Sequence, residues 1–511
     1  MENVTDLEKE DRRQLTARAV AAGMLLGGFM SLSNLYVALK TGWSIGVSIT
    51  AGILAYAIFA LLFKLKVVRR HFGMLENNAM QSVASAAGYM TGGGTVAAIP
   101  ALMMITGTAM GGWQMFFWIT TIAMLGVVMA IPMKQQMINA EQLRFPSGIA
   151  AAETLRALHG EGGDGRGKAR LLAWGGAAGA GVAFLRDAKA SWMRWNLPDK
   201  LQVPFVTLAG RPLADYTISF EGSLIMLGAG AIMGFRAAWS MMLGAAVNYG
   251  VLAPRLYEAG VIDPKLGYKN IVAWSVWFGS AMILTSGLLA FAFQWRTVVR
   301  AVKSVGSAFG GRQDGELAAE VPMLWFFAGM LLLSPCVVFL EWFLFGIRPW
   351  LGVLSVVLGF FIAIVACRAT GETDTTPTGA LGKITQITFG ALAPANITTN
   401  LMTANVTGGV GLHAADLLTD LKSGYLLKAD PRQQFWAQFF GVLAGSLFVV
   451  PAYRLLIPTA DVLGTDAWPA PGAQTWKGVA ELLAKGFHTL HPTAQLALAV
   501  GAALGVVFVL L

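Results

Sequence analysis

Long apolar runs constrain the fold of this chain more than any other feature of its sequence. A helix that crosses a bilayer needs roughly 20 mostly apolar residues. The runs that meet or approach this length are Ala19–Leu39, Trp43–Phe63, Trp113–Pro132, Gly222–Phe235, Ala237–Leu256, Ile271–Phe293, Val321–Phe345, Pro349–Ala366, Gln434–Leu456 and Pro492–Leu511. With weaker glycine-rich segments added, hydropathy predicts roughly a dozen or more spans. Because the short alternating segments of membrane barrels do not occur, the sequence predicts an all-α polytopic transmembrane bundle.

The composition agrees with a membrane environment. Hydrophobic residues make up 56% of the chain and charged residues only 13%, against about 25% charged residues in soluble domains. A net charge of +9 would suggest nucleic acid as the partner of a soluble protein. Here the lysines and arginines lie between the apolar runs, where they orient the spans. We therefore expect a lipid bilayer as partner, and no nucleic acid.

Basic flanks of the first two spans predict the orientation of the chain. Arg12, Arg13 and Arg18 precede the first span, and further basic residues follow the second span in residues 64–71. The positive-inside rule places the N-terminus and residues 64–71 in the cytoplasm. The first residues are too acidic for a signal peptide. We expect a multi-pass protein of the inner membrane.

Polar loops divide the chain into two helical groups. Residues 1–295 form the first group and carry a polar loop at 186–220, long enough for a small extramembrane subdomain or an interfacial helix. A basic loop at 296–320 connects it to the second group, residues 321–511. The segments 89–93 and 405–409 resemble each other weakly and suggest an internal repeat. Because the sequence stops inside an apolar run, we expect further C-terminal helices in the natural chain.

Polar side chains inside apolar segments are the main functional signal, because such groups are costly in hydrocarbon and usually face a pathway or a partner helix. Asn77, Gln81 and Ser85 recur at helical spacing and form one stripe, ahead of glycines that would interrupt the helix. They are candidates to bind substrate. The alternative is that they hold helices together.

The stretch 141–159 offers a second set of charges. Pro146 and Ser147 suit the start of a helix, which would carry Glu153 inside it. Glu141 and Arg144 have the spacing of an interfacial ion pair.

The densest signal is the segment 368–386, which directly follows an apolar span. Its glycines and Pro377 exclude one continuous helix. Glu372 and Asp374 lie between two basic residues on this broken segment, which suits a proton- or cation-coupled site. An ordinary extramembrane loop is the alternative interpretation.

Two further polar stretches follow. Asn396 and Asn400 are candidate hydrogen-bonding partners of a substrate, and Lys40 could pair with a substrate carboxylate or extend to the interface. On a helix, Asp416 and Asp420 would share one face with His413. That face could bind a metal, lie at the interface, or act in gating and proton coupling.

Enzymatic chemistry finds little support. Residues 162–169 approximate a phosphate-binding loop, but Ala169 replaces the magnesium-binding hydroxyl and no strand precedes it. Neither a nucleophile–base pair nor a metal cluster is evident at membrane depth. We expect no catalytic residues, no bound metal and no cofactor.

Five segments in order resemble the oligopeptide transporter superfamily, in particular its bacterial members close to the yellow-stripe-like branch. They are 34–43, 77–81, 141–148, 371–386 and 415–425. The resemblance implies an all-helical fold with about sixteen spans, symport driven by protons, and substrates that are small peptides or metal chelates. The resemblance also implies further helices after position 511.

Together these observations predict a secondary active transporter for proton-coupled uptake of small oligopeptides or peptide-like metal chelates. The predicted coupling groups are Glu372, Asp374, Glu153, Asp416 and Asp420, and the predicted substrate-binding residues are Asn77, Gln81, Asn396, Asn400 and Lys40. A passive channel and an intramembrane enzyme are the rival functions. A homodimer is compatible with the sequence.

Overall fold

A computed structural model describes most of the chain. The residues described are 13–42, 44–92, 94–159, 165–187, 196–198, 200–203, 205–233, 235–262, 267–293, 320–486 and 490–510. The first twelve residues, residues 160–164 of the glycine-rich loop, and the basic connecting loop except Glu320 lie outside the described residues.

The described residues are overwhelmingly helical, which confirms the predicted fold class. In chain order the α-helices are Ala17–Thr41 (α1), Ser48–Lys64 (α2), Met74–Tyr89 (α3), Ile99–Thr106 (α4), Gly112–Met129 (α5), Ile131–Lys134 (α6), Pro146–His159 (α7), Gly165–Asp187 (α8), Leu224–Met233 (α9), Phe235–Ala245 (α10), Ala253–Glu258 (α11), Tyr268–Phe293 (α12), Met323–Phe345 (α13), Pro349–Thr373 (α14), Thr378–Leu392 (α15), Ile397–Leu427 (α16), Pro431–Leu456 (α17), Pro471–Lys485 (α18) and Pro492–Leu510 (α19). Wider π-helical turns occur at Gly94–Ala98, Gln135–Ala140 and Ala246–Leu252, and 3₁₀ turns at Leu213–Tyr216 and Ala460–Val462.

Eight helical segments among the described residues are long and apolar enough to cross a membrane. They are Ala17–Thr41, Met74–Thr106, Gly112–Ala140, Tyr268–Leu289, Met323–Phe345, Pro349–Thr373, Pro431–Leu456 and Pro492–Leu510. This number is below the dozen that hydropathy predicts. The run Gly222–Phe235 contains only the short helix α9, and α2 has only 17 residues. The run Ala237–Leu256 covers most of α10, the π-helical turn after it and part of α11.

Helix α16 occupies the centre of the bundle. It is 31 residues long, and nearly every side chain from Thr399 to Gly424 is buried. Its neighbours include α3, α5, α14, α15 and α17. A helix that is buried on all sides needs no apolar surface toward lipid, so α16 can carry many polar residues at the core of a membrane protein.

Small residues allow α3 to pack closely between two other helices. Gly23 and Gly27 of α1 face one side of α3, and Gly441 and Gly445 of α17 face another. Both pairs have the four-residue spacing that brings helix backbones together in membranes. The glycines of α1 and α17 therefore let both helices pack against α3 at backbone distance.

The segment between α14 and α15 is broken, as its glycines and proline predict. Helix α14 ends at Thr373, and Asp374 follows with a φ of 62°, in the left-handed region. Helix α15 begins at Thr378. Residue 374 therefore starts a turn between two separate helices.

The polar loop 186–220 contains short strands in its described part. Lys200–Leu201 pairs antiparallel with Phe220–Glu221, and Thr207–Leu208 pairs with Arg211–Pro212. Both ribbons have only two residues per strand, and residues 188–195 of this loop lie outside the described residues.

Candidate functional site

Two carboxyl groups lie buried side by side on α16. Asp416 is 4% exposed and Asp420 is 1% exposed. Their spacing of four residues places them on the same face of the helix. Ser85 of α3 donates its hydroxyl hydrogen bond to Asp416 Oδ1 at 2.7 Å, and Gln438 of α17 donates from Nε2 to Asp420 Oδ2 at 2.7 Å. Both donors are neutral, so neither supplies a positive charge.

The carboxyl pair has no cationic partner in the part of the chain that the structure describes. The ion pairs found there all involve other acids. Two buried negative charges without a cation would cost several kcal/mol per ion. The pair is therefore suited to hold a proton or another small cation.

His413 lies one turn before Asp416 and is also buried. Its Nδ1 atom and Asp416 Oδ2 are buried atoms without a hydrogen-bond partner. Across the described ranges, no three residues of the metal-binding types converge on one point. This geometry gives no support to the interpretation of the His413 face as a metal site.

Two members of the predicted stripe on α3, Gln81 and Ser85, contact α16, whereas Asn77 contacts α2. Gln81 Nε2 donates hydrogen bonds to Ser423 Oγ at 3.1 Å and to Asn78 Oδ1 at 3.3 Å. Asn77 Nδ2 donates to the carbonyl of Gly52 at 3.1 Å. Gln81 Oε1 and Asn77 Oδ1 are buried without a partner, so both amides retain an acceptor atom.

A second polar cluster joins α15, α16 and α18. Lys383 Nζ donates to Gln386 Oε1 at 2.9 Å. Gln386 Nε2 in turn donates to Asn400 Oδ1 at 3.0 Å and to the carbonyl of Trp476 at 3.1 Å. Asn400 is thus buried in a hydrogen-bonded network. Lys383 and Gln386 also belong to this network, although the sequence does not predict them as site residues.

Two of the predicted substrate-binding residues lie nearer the surface. Asn396 is exposed and caps α16 by accepting a hydrogen bond from the backbone N–H of Thr399 at 2.9 Å. Lys40 is partly exposed, and its Nζ atom lies 3.5 Å from the carbonyl of Asp466. The structure places neither residue beside the buried carboxyl pair.

The remaining predicted acids are also exposed. Glu372 pairs with Arg368 at 3.0 Å. Asp374 accepts hydrogen bonds from the backbone N–H and the hydroxyl of Ser147, at 2.8 and 2.7 Å, and so caps α7. Glu153 is exposed on α7. These acids do not join the carboxyl pair of α16.

The predicted pairing of Glu141 with Arg144 is wrong. Glu141 instead forms an ion pair with Arg368 at 2.7 Å. Arg368 thereby bridges Glu141 and Glu372. The reason is the fold: α14 brings a nearly buried guanidinium to Glu141, and a pairing between distant segments cannot be read from local spacing.

Three structural features are not predicted from the sequence. Gln434 and Gln438 recur at helical spacing in an apolar span, which is a usable signal, and both reach Asp420. Glu341 is a lone acid in an apolar span, fully buried and hydrogen-bonded by Ser355 at 3.0 Å. Lys383 is one of the two basic residues that flank Glu372 and Asp374 in the sequence, and its burial, at 1% exposed, is not predicted.

Comparison with known families decides the identity of this fold. The model of the OPT oligopeptide transporter protein family matches residues 14–511. The chain belongs to the OPT family. This confirms the resemblance drawn from the five segments.

Relatives within the OPT family fall into two groups by name. A candidate oligopeptide transporter of Saccharomyces cerevisiae is 25% identical, with 88% of this chain and 80% of the relative covered. The iron-phytosiderophore transporter yellow stripe 1 of Zea mays is 26% identical, with 96% and 78% covered. A candidate oligopeptide transporter of Haemophilus influenzae is 25% identical, with 88% and 75% covered.

Proposed function

We propose that this protein is a secondary active transporter that couples proton movement to uptake of small oligopeptides or peptide-like metal chelates across the inner membrane. Membership of the OPT family supports transport, and the names of the relatives support these two substrate classes. The helical bundle with its interrupted helices has the construction of secondary transporters.

The observation that carries the coupling proposal is the buried pair Asp416 and Asp420. Because only neutral groups donate to them in the described structure, the pair is most stable when it holds positive charge. A proton is the smallest cation that can meet this need. Of the five acids predicted from the sequence, we assign coupling to these two and a supporting role to the exposed acids.

Alternating access supplies the rest of the cycle. Helix α16 is held by α3 and α17 through the hydrogen bonds of Ser85 and Gln438 to the two carboxyl groups. Protonation of either carboxyl group changes which atoms donate and which accept in this contact. We infer that this exchange lets the helices around α16 shift between inward-open and outward-open arrangements.

The test uses the full chain reconstituted in proteoliposomes, with trialanine and the iron–nicotianamine complex as probes. Asp416→Asn and Asp420→Asn keep size and hydrogen bonding but remove titration. We expect both variants to exchange substrate across the membrane without accumulating it under a pH gradient. Glu372→Gln and Asp374→Asn are the matched comparison and should retain accumulation driven by the gradient.

Other outcomes would change the assignment. If the two asparagine variants accumulate probe with wild-type pH dependence while Glu372→Gln does not, coupling belongs to the broken segment after α14. A passive channel would give wild-type flux that neither saturates nor responds to the pH gradient. Conversion of trialanine to alanine in the vesicles would favour the enzyme.

A further inference from the structure

A cavity of about 340 Å³ lies between α1, α15, α16 and α18. This volume is within the range of small-molecule sites. Four residues with hydroxyl groups line the cavity, and one lysine, Lys383, lines it as well. The hydroxyl-bearing residues are Thr41, Ser44, Thr378 and Thr475. The cavity therefore combines hydrogen-bonding groups with a positive charge.

Lys383 is buried without a negative partner. It is 1% exposed, and its Nζ atom donates to Gln386 and lies 5.0 Å from the centre of the Trp476 ring. No ion pair of Lys383 occurs within the ranges that the structure describes. A buried ammonium group whose contacts are a neutral amide and an aromatic ring has no negative charge to balance its own. An anionic ligand in the cavity would neutralise it.

Two helix N-termini meet at the same cavity. Thr378 and Gly379 belong to the first turn of α15, and Pro471 and Gly472 belong to the first turn of α18. Each helix has 15 residues. Backbone N–H groups of a first turn lack acceptors within the helix, and their partial positive charge favours anions. Both helix N-termini thus favour an anion in the cavity, as Lys383 does.

We propose that this cavity binds a carboxylate of the transported substrate, with Lys383 as its direct ion-pair partner. The carboxylate is the C-terminal group of a small peptide or an acid group of a peptide-like chelate. This inference rests on the proposed transport function and adds to it the chemical group that the protein recognises and the place where recognition occurs.

The cavity also lies close to the buried carboxyl pair. Gly92 and Leu412 line both this cavity and a smaller one of about 20 Å³ that reaches His413. His413 is one helical turn from Asp416. Leu412, which lines the cavity, is thus one helical turn from Asp416 on α16, so that substrate charge and coupling charge can influence each other.

Binding to the purified full chain in lipid nanodiscs tests the proposal. The probes are trialanine, trialanine amide and the iron–nicotianamine complex, measured by calorimetry. Lys383→Met should weaken binding of a probe that has a carboxylate by about 10- to 100-fold, since a charge-assisted contact is lost. Lys383→Arg should retain part of the affinity. Lys477→Met, on the same helix as Trp476 but outside the cavity lining, is the control and should bind as wild type.

The amide probe separates charge from shape. Wild type should bind trialanine amide more weakly than trialanine, and Lys383→Met should remove that difference. If wild type binds trialanine and trialanine amide equally, the proposed carboxylate site is wrong, and this result does not depend on whether Lys383→Met folds. The site is also wrong if wild type binds neither trialanine nor the iron–nicotianamine complex. Thermal unfolding of Lys383→Met checks its fold.

Transport assays on the same proteins separate this proposal from the function on which it rests. If wild type accumulates probe under a pH gradient but Lys383→Met binds and accumulates it equally, the carboxylate site is wrong and the transport function stands. If carboxylate binding depends on Lys383 but wild type moves no probe, the site stands and the transport function is wrong.

Discussion

At the scale of single residues, Asp374 shows how one carboxyl group can suit two interpretations. Its position on a broken segment suggests coupling. In the structure its two oxygens accept hydrogen bonds from the backbone and side chain of Ser147, so that the turn after α14 caps the N-terminus of α7. A cap of this kind stabilises the first turn of α7.

Replacement of Asp374 should therefore reduce stability more than it alters coupling. We expect Asp374→Ala to lower the free energy of unfolding by about 1 kcal/mol, the usual value of a lost cap, and Asp374→Asn to cost less because it retains an acceptor. Denaturant unfolding of the purified protein measures both. Glu372→Ala is the control, since Arg368 keeps its ion pair with Glu141. A stable Asp374→Ala variant that no longer responds to pH would contradict this role.

The sequence singles out Gln81 as a polar residue inside an apolar segment, which needs no knowledge of the fold, and the structure buries it. For Asp416 and Asp420 the sequence leaves an interfacial position open, and the structure buries both residues. The sequence does not predict which basic residue forms an ion pair with each acid. Glu141 pairs with Arg368, more than two hundred residues away along the chain. Such pairings depend on how α14 packs, and local spacing carries no information about that packing.

At the scale of helices, glycine spacing determines how closely α3 can approach its neighbours. A Cβ atom at Gly441 would clash with the backbone carbonyl of Val83 and lie 2.6 Å from Ala86 Cβ. Backbone atoms cannot move away as a flexible side chain can. The pattern of two glycines four residues apart is visible in the sequence, but the helix that they face is not.

Gly441→Ala should consequently destabilise the bundle. We expect a loss of about 1–3 kcal/mol, the usual cost of overpacking a tight contact. Gly179→Ala on α8 is the matched control, because a Cβ there meets nothing within 4 Å and alanine favours a helix over glycine. Thermal unfolding in detergent compares the two variants with wild type. Equal loss of stability in both would show that close packing at Gly441 is not the cause.

Helix boundaries could be predicted where turn chemistry is strong, as at Pro377 ahead of α15. The number of spans could not. Helix α16 has the length to cross a membrane, yet its polar residues keep its hydropathy low because other helices, and not lipid, surround it. Hydropathy reports only how apolar a segment is, so it misses a polar helix at the centre of a bundle and counts apolar runs such as Gly222–Phe235, which contains only a short helix.

At the scale of the whole molecule, charges collect at one end of the bundle. Arg18, at the start of α1, contacts the backbone carbonyls of Arg70 and His71 and pairs with Glu76 at 2.6 Å. The beginnings of α1 and α3 and the segment after α2 therefore lie together. Further basic residues line the same surface, namely Arg13, Arg69 and Arg156. The sequence predicts this clustering from loop charges alone.

This basic end should face the cytoplasm, by the positive-inside rule. The test replaces both native cysteines, Cys336 and Cys367, by alanine and introduces one cysteine at a time. Val67 lies in the basic segment after α2, and Thr108 follows the end of the span Met74–Thr106, which begins at the basic end. Both positions are exposed. In intact cells an impermeant maleimide should label Thr108→Cys at once and Val67→Cys only after the membrane is permeabilised, and a permeant maleimide should label both. The reverse pattern would place the N-terminus outside the cell and would contradict this orientation.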